Sequence, residues 1–311
     1  MKLISIVLPC YNEELNIPIL HQRLVDVTAT IVNYDFEFIF IDNCSTDETV
    51  RVIEDISKHD ERVKAIVNLS NFGTIRSPAH GLFQAQGDAV ITMSTDLQDP
   101  PELIHDFLKK YEEGYHVVAA VKSTSDERGM MWYARRAYYK FIRAVSDSEQ
   151  IENFTGFGLY DKRVVAAMRN IGDTYPYIRG LIAELGFRVA TVAFHQPLRI
   201  HGESKQREFM VLYDYAMLGI TTQSKLPLRW LTLSGLVLAS ASFTLSIVFL
   251  IMKIFFWEYF PVGVSPILVG MFFFSSVQLF FIGILGEYVM LIYTKVANRP
   301  LVIEDRRINF K

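Results

Sequence analysis

The hydrophobic and polar positions follow two different patterns along the chain. From residue 1 to about 225, short apolar runs alternate with charged stretches, as in a globular protein, whereas residues 230–294 carry almost no charge. We therefore predict a globular domain at 1–225, a two-span membrane module at 226–294 and a C-terminal tail at 295–311.

The globular domain shows the pattern of a parallel sheet. Its apolar runs each precede polar or turn-forming residues and are separated by stretches long enough for a helix. Alternating strands and helices of this kind predict an α/β fold with a mostly parallel sheet, in which ligands bind beyond the carboxyl ends of the strands. The predicted strands are Leu3–Leu8, Phe36–Ile41, Val63–Val67 and Ala89–Met93.

Two uncharged runs are long enough to cross a bilayer. They are Leu231–Met252 and Tyr259–Gly286, and about 20 residues suffice for a helical span. Cytoplasmic loops carry the excess of Lys and Arg, so we expect a multi-pass protein of the cytoplasmic (inner) membrane with both termini in the cytoplasm. The basic residues before, between and after the runs are Lys225 and Arg229, then Lys253, then Lys295, Arg299, Arg306 and Arg307.

Two further segments have the composition of helices lying in the membrane interface. Residues 206–224 contain an apolar stripe at helical spacing, and about 129–145 combine basic and aromatic residues that include Arg135 and Arg136. A helix facing the core of the globular domain fits the first pattern equally well, and a solvated helix face fits the second.

Overall composition excludes several classes of protein. Half of the 311 residues are apolar, the mean hydropathy is +0.21 and the net charge is -3. No strong basic balance points to nucleic acid. Cys10 and Cys44 lack metal-ligand spacing, and no signal-peptide pattern precedes the first strand, so we expect the globular domain to stay in a reducing cytosol.

Polar side chains follow the predicted strands. Asp42 ends the second strand and is placed to accept hydrogen bonds from a nucleobase or ribose, whereas Ser45 and Asp47 also fit a helix cap. Ser94, Asp96 and Gln98 are spaced by two and share one face if the fourth strand continues through them. A carboxylate and a diphosphate are both anionic, so Asp96 is predicted to hold a divalent cation between them.

The motifs taken in order resemble the family-two glycosyltransferases with the GT-A fold, and most closely the polyprenyl-phosphate glycosyltransferases. They are SIVLPCYNEE, IDNCSTDET, NFGTIRSPAHGL, TDLQDPPELI, NFTGFGLYDKR and RIHGESK, followed by the two apolar runs. The resemblance covers nearly the whole chain. It implies a nucleotide-sugar-binding domain followed by interfacial helices and two transmembrane helices.

The resemblance also implies a role for each matching residue. The nucleotide would be bordered by Pro9, Tyr11, Asn12, Glu13 and Asp42, and Mg²⁺ or Mn²⁺ would be held by Asp96 and Gln98. Arg199, Ser204 and Lys205 match an RxxGxSK motif beside the acceptor and donor phosphates, where cations neutralise phosphate charge. A solvated surface lysine remains the alternative for Lys205. Asn43, Ser94, Arg135 and Arg136 complete the predicted substrate-binding set.

Three positions depart from the family pattern. Asn43 stands where a second aspartate is common, Ser94 replaces the first aspartate of DADLQ, and Gly156 occupies the position of a proposed catalytic carboxylate. These departures favour, as one alternative, a catalytically weak or inactive membrane-bound protein that binds nucleotide sugars.

The function implied is an inverting transfer of a sugar from a UDP- or GDP-sugar to a polyprenyl phosphate, with undecaprenyl phosphate the expected acceptor, at the cytoplasmic membrane face. A polysaccharide synthase is a second alternative, although the chain lacks a QxxRW sequence and the further spans of a polymer channel. The resemblance also implies a homo-oligomer, with a tetramer favoured. The charged segment Glu304–Arg307 is expected to pair as a strand with a neighbouring chain.

Overall fold

The computed structural model describes residues 1–124, 151–197, 199, 217–218, 221, 226–255, 264–297 and 299–310. The predicted interfacial segment at 129–145 and most of the one at 206–224 lie outside the described residues. The predicted site residues Arg135, Arg136, Ser204 and Lys205 also lie outside them, so their roles stay predictions.

The first 124 residues alternate strands and helices, as the hydrophobic pattern predicts. All four predicted strands are present, each within a few residues of its expected ends. The elements are β1 (Lys2–Cys10), α1 (Asn16–Ala29), β2 (Tyr34–Asp42), α2 (Thr49–Ser57), β3 (Val63–Asn68), α3 (Gly73–Gln84), β4 (Ala89–Thr92), a 3-10 turn (Pro101–Leu103), α4 (Ile104–Glu112) and β5 (Val117–Thr124).

The rest of the described chain completes the sheet and adds two long helices. Its elements are β6 (Phe154–Asp161), α5 (Lys162–Ile171), α6 (Ile178–Glu184), β7 (Val189–His195), α7 (Leu226–Phe255), α8 (Val264–Val296) and β8 (Glu304–Ile308). Asp161 is the N-cap of α5, because its side chain accepts a hydrogen bond from Arg163 N at 2.8 Å.

The strands form one eight-stranded sheet in the order β7-β5-β6-β4-β1-β2-β3-β8. The four central strands β4, β1, β2 and β3 are mutually parallel, whereas β6 runs antiparallel to β4 and β8 antiparallel to β3. A mostly parallel sheet is therefore confirmed. Its four central strands end at a single edge, which we call the carboxyl edge.

Helices cover both faces of the sheet, which explains why the central strands are continuously apolar. Alternate residues of β1 enter two separate clusters: Ile4 and Ile6 pack with α1, α2 and α4, whereas Val7 packs with α3, α5 and α6. A strand buried on both faces has no polar side, so its sequence shows a run of hydrophobic residues without alternation.

α7 and α8 are long and apolar enough to cross a membrane. Their windows Leu226–Thr244 and Phe273–Val296 have mean hydropathies of 1.3 and 1.7, and no part of either window is buried in the protein. α7 extends beyond its predicted run at both ends, and α8 begins at Val264 and continues past Gly286 to Val296, because single charged residues such as Glu287 interrupt a charge-free run without ending a helix.

The C-terminal strand corrects one expectation. Glu304–Arg307 was expected to pair with a neighbouring chain, but β8 pairs antiparallel with β3 of its own chain, with Ala65 opposite Ile308 and Ile66 opposite Arg307. β3 otherwise ends the sheet, and its unpaired N–H and C=O groups attract any strand within reach. The chain itself supplies that strand once α8 has returned it to the globular domain.

Candidate active site at the carboxyl edge of the sheet

The carboxyl edge brings together three sequence segments that were predicted to converge. Asn43 N donates to Cys10 O at 3.0 Å, which joins the ends of β1 and β2, and Thr95 Oγ1 donates to Pro9 O at 2.9 Å, which joins the segment after β4 to β1. Pro9, Tyr11, Asn12, Glu13, Asp42, Asn43, Ser94, Asp96 and Gln98 all lie on these three segments.

Asn12 links the loops that follow β1 and β2. Its φ of 57° lies in the left-handed region, which asparagine tolerates better than most residues. Its Oδ1 accepts a hydrogen bond from Thr46 N at 2.8 Å, and its backbone N donates to Ser45 Oγ at 2.9 Å. The predicted contact of Asn12 with a nucleotide would therefore be made from a side chain that already fixes the wall of the site.

Asp42 is completely buried at the end of β2. Its two carboxylate oxygens accept hydrogen bonds from Ser45, one from the hydroxyl at 2.5 Å and one from the backbone N at 3.0 Å. Burial raises the pKa of Asp42, and the hydrogen bonds from Ser45 oppose that rise. Asp42 is therefore held rigidly at the candidate site, and its contact with a nucleobase or ribose stays a prediction.

The segment after β4 forms a tight loop and does not continue the strand. β4 ends at Thr92, and Leu97 has a φ of 63°, so the predicted row of three side chains on one strand face is wrong. The loop nevertheless clusters the same residues by hydrogen bonds. Ser94 Oγ lies 2.8 Å from Asp96 Oδ1, and Gln98 N donates to that same oxygen at 3.2 Å.

Asp99 is a buried carboxyl group of the candidate site that the sequence analysis missed. It is 5% exposed, and one of its carboxylate oxygens lies 2.8 Å from Ser94 N and 2.7 Å from Ser94 Oγ. Burial raises the pKa of Asp99 to about 6, although the hydrogen bonds from Ser94 lower it. The sequence Asp99-Pro100-Pro101 has the local pattern of a turn that opens a helix, and this pattern conceals the buried carboxyl group.

Arg199 reaches the carboxyl edge from a distant part of the chain. Its Nη2 donates to Glu13 Oε1 at 2.6 Å, and its Nη1 lies 3.9 Å from Asp96 Oδ2. Glu13 is 8% exposed, and its burial raises its pKa against the hydrogen bonds from Asn16 and Arg199. Glu13, Asp96 and Arg199 belong to three different sequence motifs, and the structure brings them together. Asp96 is the predicted metal ligand.

A second concavity lies away from these groups. A cavity of about 570 Å³ between α1 and the end of α2 is lined by His21, Asp55, Asp60 and Arg62 among others. Asp60 is paired there with His21 at 3.0 Å and with Arg62 at 2.8 Å. Buried carboxyl groups with raised pKa values are a mark of functional sites, and they lie at the carboxyl edge, which is therefore the candidate active site.

Comparison with known proteins assigns the family. The family model Glycosyl transferase family 2 matches residues 5–169. An uncharacterized glycosyltransferase of Synechocystis sp. is 34% identical over 302 residues, covering 96% of this chain and 94% of its own length. The bactoprenol glucosyl transferase of Shigella phage SfII is 33% identical over 302 residues, covering 96% of each chain. The chain belongs to glycosyl transferase family 2.

Family membership confirms the predicted glycosyltransferase activity and the GT-A fold. Among solved structures, mannosyl-3-phosphoglycerate synthase of Rubrobacter xylanophilus aligns with a TM-score of 0.50 at 16% identity, covering 70% of this chain and 71% of that one. This likeness concerns the fold, since the identity is low. In this glycosyltransferase the segments around Asp42 and Asp96 lie within the matched family region.

The first departure from the family pattern, Asn43, has a structural explanation. Its Nδ2 lies 2.9 Å from Asn71 Oδ1 and 3.3 Å from Gly73 O, and its Oδ1 accepts hydrogen bonds from Phe72 N and Asn68 Nδ2. An amide supplies donors and acceptors together, whereas a carboxylate only accepts. Asn43 therefore organises the loop between β3 and α3, and its contact with substrate stays a prediction.

Asn43→Asp should destabilise the protein although it restores the common family residue. The new carboxylate would face Asn71 Oδ1 and Gly73 O without a proton to donate, which costs about 1 to 3 kcal/mol for a group of this burial. We expect a lower thermal unfolding midpoint for the full-length protein in detergent. An unchanged midpoint would show that the amide donors contribute nothing.

The third departure, Gly156, lies beside the end of β4. Gly156 O accepts hydrogen bonds from Thr92 Oγ1 at 2.5 Å and from Tyr160 OH at 2.7 Å, which fixes the backbone. Among the described residues, a Cβ at this position would meet nothing within 4 Å, but the φ of +103° is one that residues with side chains rarely adopt. The backbone conformation at position 156 therefore favours glycine.

The residues at the edge fit a divalent cation that the substrate helps to hold. Within the described part of the chain, no three His, Cys, Asp or Glu side chains form a metal-binding group. Mg²⁺ is nevertheless commonly bound through one or two carboxylates together with substrate phosphates and water. Asp96 is partly accessible, with 19% of its side chain exposed, so it is available as such a ligand.

Proposed function

We propose that this glycosyltransferase transfers a sugar from a nucleotide-sugar donor to a polyprenyl phosphate, with inversion at the anomeric carbon. The observation that carries the proposal is the nearly full-length similarity to bactoprenol glucosyl transferases. The names of these relatives indicate a polyprenyl acceptor and glucose, which makes a glucose nucleotide the first donor to test.

Two features support a membrane-bound acceptor. α7 and α8 are long, apolar and exposed. β8 follows α8 and joins the sheet that contains β1, so the helix pair must leave the globular domain and return to the same side. A lipid acceptor whose headgroup lies in the membrane plane is reached best by an enzyme tethered there, and we place this side in the cytoplasm.

The donor diphosphate is placed next to Asp96. A Mg²⁺ or Mn²⁺ ion bound there would neutralise charge on the departing diphosphate. Asp96 and Gln98 would hold it, and the backbone N of Gln98 keeps the Asp96 carboxylate oriented. Arg199, whose guanidinium lies between Glu13 and Asp96, would bind an oxygen of the acceptor phosphate beside the donor diphosphate, since an arginine fork matches phosphate geometry.

The acceptor supplies its own nucleophile. A phosphate monoester oxygen is ionised at neutral pH and attacks the anomeric carbon as the bond from that carbon to the donor diphosphate breaks. No protein base is required, which accounts for an active enzyme with glycine at position 156. Holding the two substrates in line then supplies most of the rate enhancement.

A donor and acceptor panel tests the proposal. The purified protein is incubated with radiolabelled UDP- and GDP-sugars and undecaprenyl phosphate, and lipid-linked product is separated by solvent extraction. Transfer from one donor class supports the proposal. Nucleotide binding without any transfer would instead favour the inactive binding protein that Asn43, Ser94 and Gly156 suggest, and a long water-soluble polymer would favour a polysaccharide synthase.

Membrane topology gives a second prediction. Reporter fusions should place residue 1 and residue 311 in the cytoplasm, and a reporter inserted near residue 258, between α7 and α8, on the outer side. The reason is that β8 rejoins the cytoplasmic domain after α8. A cytoplasmic signal from the position near 258 would contradict the two-span arrangement.

A further inference from the structure

The segment that follows the second apolar helix is bound closely to the catalytic domain. β8 extends the sheet beyond β3, and Leu69 N donates to Ile303 O at 2.9 Å just past the paired region. Asn309 Nδ2 donates to both Ser57 O and Val63 O at 3.0 Å. We call residues 299–310 the C-terminal clasp.

The clasp contacts one face of α3. Arg76, His80 and Gln84 are spaced by four residues and therefore lie on one face of the helix. Arg76 Nη2 donates to Pro300 O at 2.5 Å, His80 Nε2 lies 2.6 Å from Glu304 Oε1, and Gln84 Oε1 accepts from Arg307 Nη2 at 2.9 Å.

Glu304 is the centre of this contact. Besides His80 it binds Arg307, whose Nε lies 2.6 Å from Glu304 Oε2. The pairing register shifts between Val67 and Asn68, so that Glu304 and Arg307 both face α3 despite their spacing of three. Glu304 is partly buried, with 23% of its side chain exposed.

α3 and the loop before it form the wall beside Asp42. Asn68, 2% exposed, donates from Nδ2 to Ser77 Oγ in α3 at 3.0 Å and to Asn43 Oδ1 at 3.3 Å. Phe72 N donates to the same Asn43 oxygen at 2.9 Å. Hydrogen bonds therefore join the clasp to α3 and α3, through Ser77 and Asn68, to the residue next to Asp42, with the helix itself as the link between them.

The clasp also continues directly from the membrane module. Near the end of α8, Lys295 Nζ lies 2.9 Å from Asp173 Oδ2, and Thr294 O accepts from Thr174 Oγ1 at 3.1 Å. Both partners lie between α5 and α6 of the catalytic domain. The end of α8 and the clasp are thus fixed to the domain at two separate places.

We propose that the C-terminal clasp is a positioning element for donor binding, in which Glu304 holds α3 and the loop at residues 68–73 so that Asn43 and Asp42 are correctly placed for the nucleotide. The proposal rests on the proposed function in locating the donor at the carboxyl edge. The clasp would increase the affinity for the donor by holding Asn43 in place. Glu304 is the central residue of this interaction.

Nucleotide binding by full-length protein in detergent tests the proposal. Glu304→Ala should weaken binding of UDP, or of GDP if that is the nucleotide bound, about tenfold in the presence of Mn²⁺, a loss in the range for residues of one hydrogen-bond network. Glu304→Gln, which keeps an oxygen for His80, should restore much of the affinity. In transfer assays, KM for the donor should rise while kcat stays nearly constant.

Arg306→Ala is the matched control. Arg306 lies on the same strand but pairs with Glu54 of α2 at 2.8 Å, away from α3, and its variant should bind nucleotide within about twofold of the wild type. Thermal unfolding of each variant separates positioning from folding, since a purely stabilising role would lower the midpoint of Glu304→Ala and leave its affinity at low temperature unchanged.

The outcomes separate the two proposals. Unchanged nucleotide affinity in a folded Glu304→Ala protein, or an equal loss in Arg306→Ala, overturns the role of the clasp, as does a wild-type protein that binds neither UDP nor GDP. A wild-type protein that binds nucleotide but transfers no sugar refutes only the proposed function. The affinity difference between Glu304→Ala and Arg306→Ala would still support the clasp.

Discussion

Asp96→Ala should reduce sugar transfer by about a thousandfold or more, the largest effect that we expect of a single substitution. Asp96 is the accessible carboxylate of the β4 loop, and without it a divalent cation would keep only the weaker oxygen ligands of Gln98 and the substrate. The departing diphosphate would then carry its charge without compensation. Two quantities are measured. The first is the transfer rate, and the second is Mn²⁺ binding in the presence of UDP, which electron paramagnetic resonance detects.

Asp106→Ala provides the control for this substitution. Asp106 is an exposed carboxylate in the first turn of α4, close to Asp96 in sequence but outside the carboxyl edge. Its variant should transfer sugar and bind Mn²⁺ like the wild type. Transfer by Asp96→Ala at the wild-type rate, or transfer that persists in a chelator, would refute the assignment of Asp96 as the metal ligand.

The position of the site was predictable because it depends on local sequence and one rule of topology. Each central strand is a short apolar run ending at a polar segment, and parallel strands with helical connections place all such ends at one edge. Asp42 and Asp96 could therefore be assigned to one site from sequence alone. The two apolar helices were equally evident, since a run without charge is a strong local signal.

Other features were hidden because they depend on contacts between distant residues. The loop conformation at Leu97, which replaces the expected strand continuation, is set by hydrogen bonds of Ser94 and Gln98 that no periodicity shows. Asp99 lies beside two prolines and has the local pattern of a solvated turn. β8 carries four consecutive charged residues and was recognisable as a strand. Its partner, β3 of the same chain, depends on where α8 returns the chain to the globular domain, which local sequence does not show.

The structure places Asp161, a carboxylate near Gly156 in sequence, away from the candidate site. Asp161 was among the titratable residues closest in sequence to Gly156, but it pairs with Ala89 at the start of β4, and therefore lies at the edge opposite the site. Its carboxylate binds Arg163 and caps α5, and although burial alone would raise its pKa, the hydrogen bonds and charge of Arg163 lower it. Asp161 is therefore not placed to act as a base in the proposed transfer step.

Arg199→Ala should slow transfer about a hundredfold and move the acid limb of the pH profile upward. The limb is expected near pH 6, where a phosphate monoester loses its second proton. A guanidinium beside the acceptor phosphate favours the dianion and lowers that pKa, so its removal raises the pKa and the dianion forms only at higher pH, by about one pH unit. The transfer rate and acid limb of Arg199→Lys should lie between those of the wild type and of Arg199→Ala, because an ammonium keeps the positive charge without the two-pronged geometry of the guanidinium.

The titration of Glu13 must be distinguished from that of the acceptor phosphate in this experiment. Burial raises the pKa of Glu13, and Arg199 opposes that rise, so Arg199→Ala also moves the titration of Glu13 upward and can produce a similar limb. The double variant Glu13→Gln with Arg199→Ala removes this carboxyl group. If the limb remains displaced in the double variant, the titrating group is the acceptor phosphate, as proposed. If the limb disappears, Glu13 is the titrating group, and a protein carboxylate controls the rate.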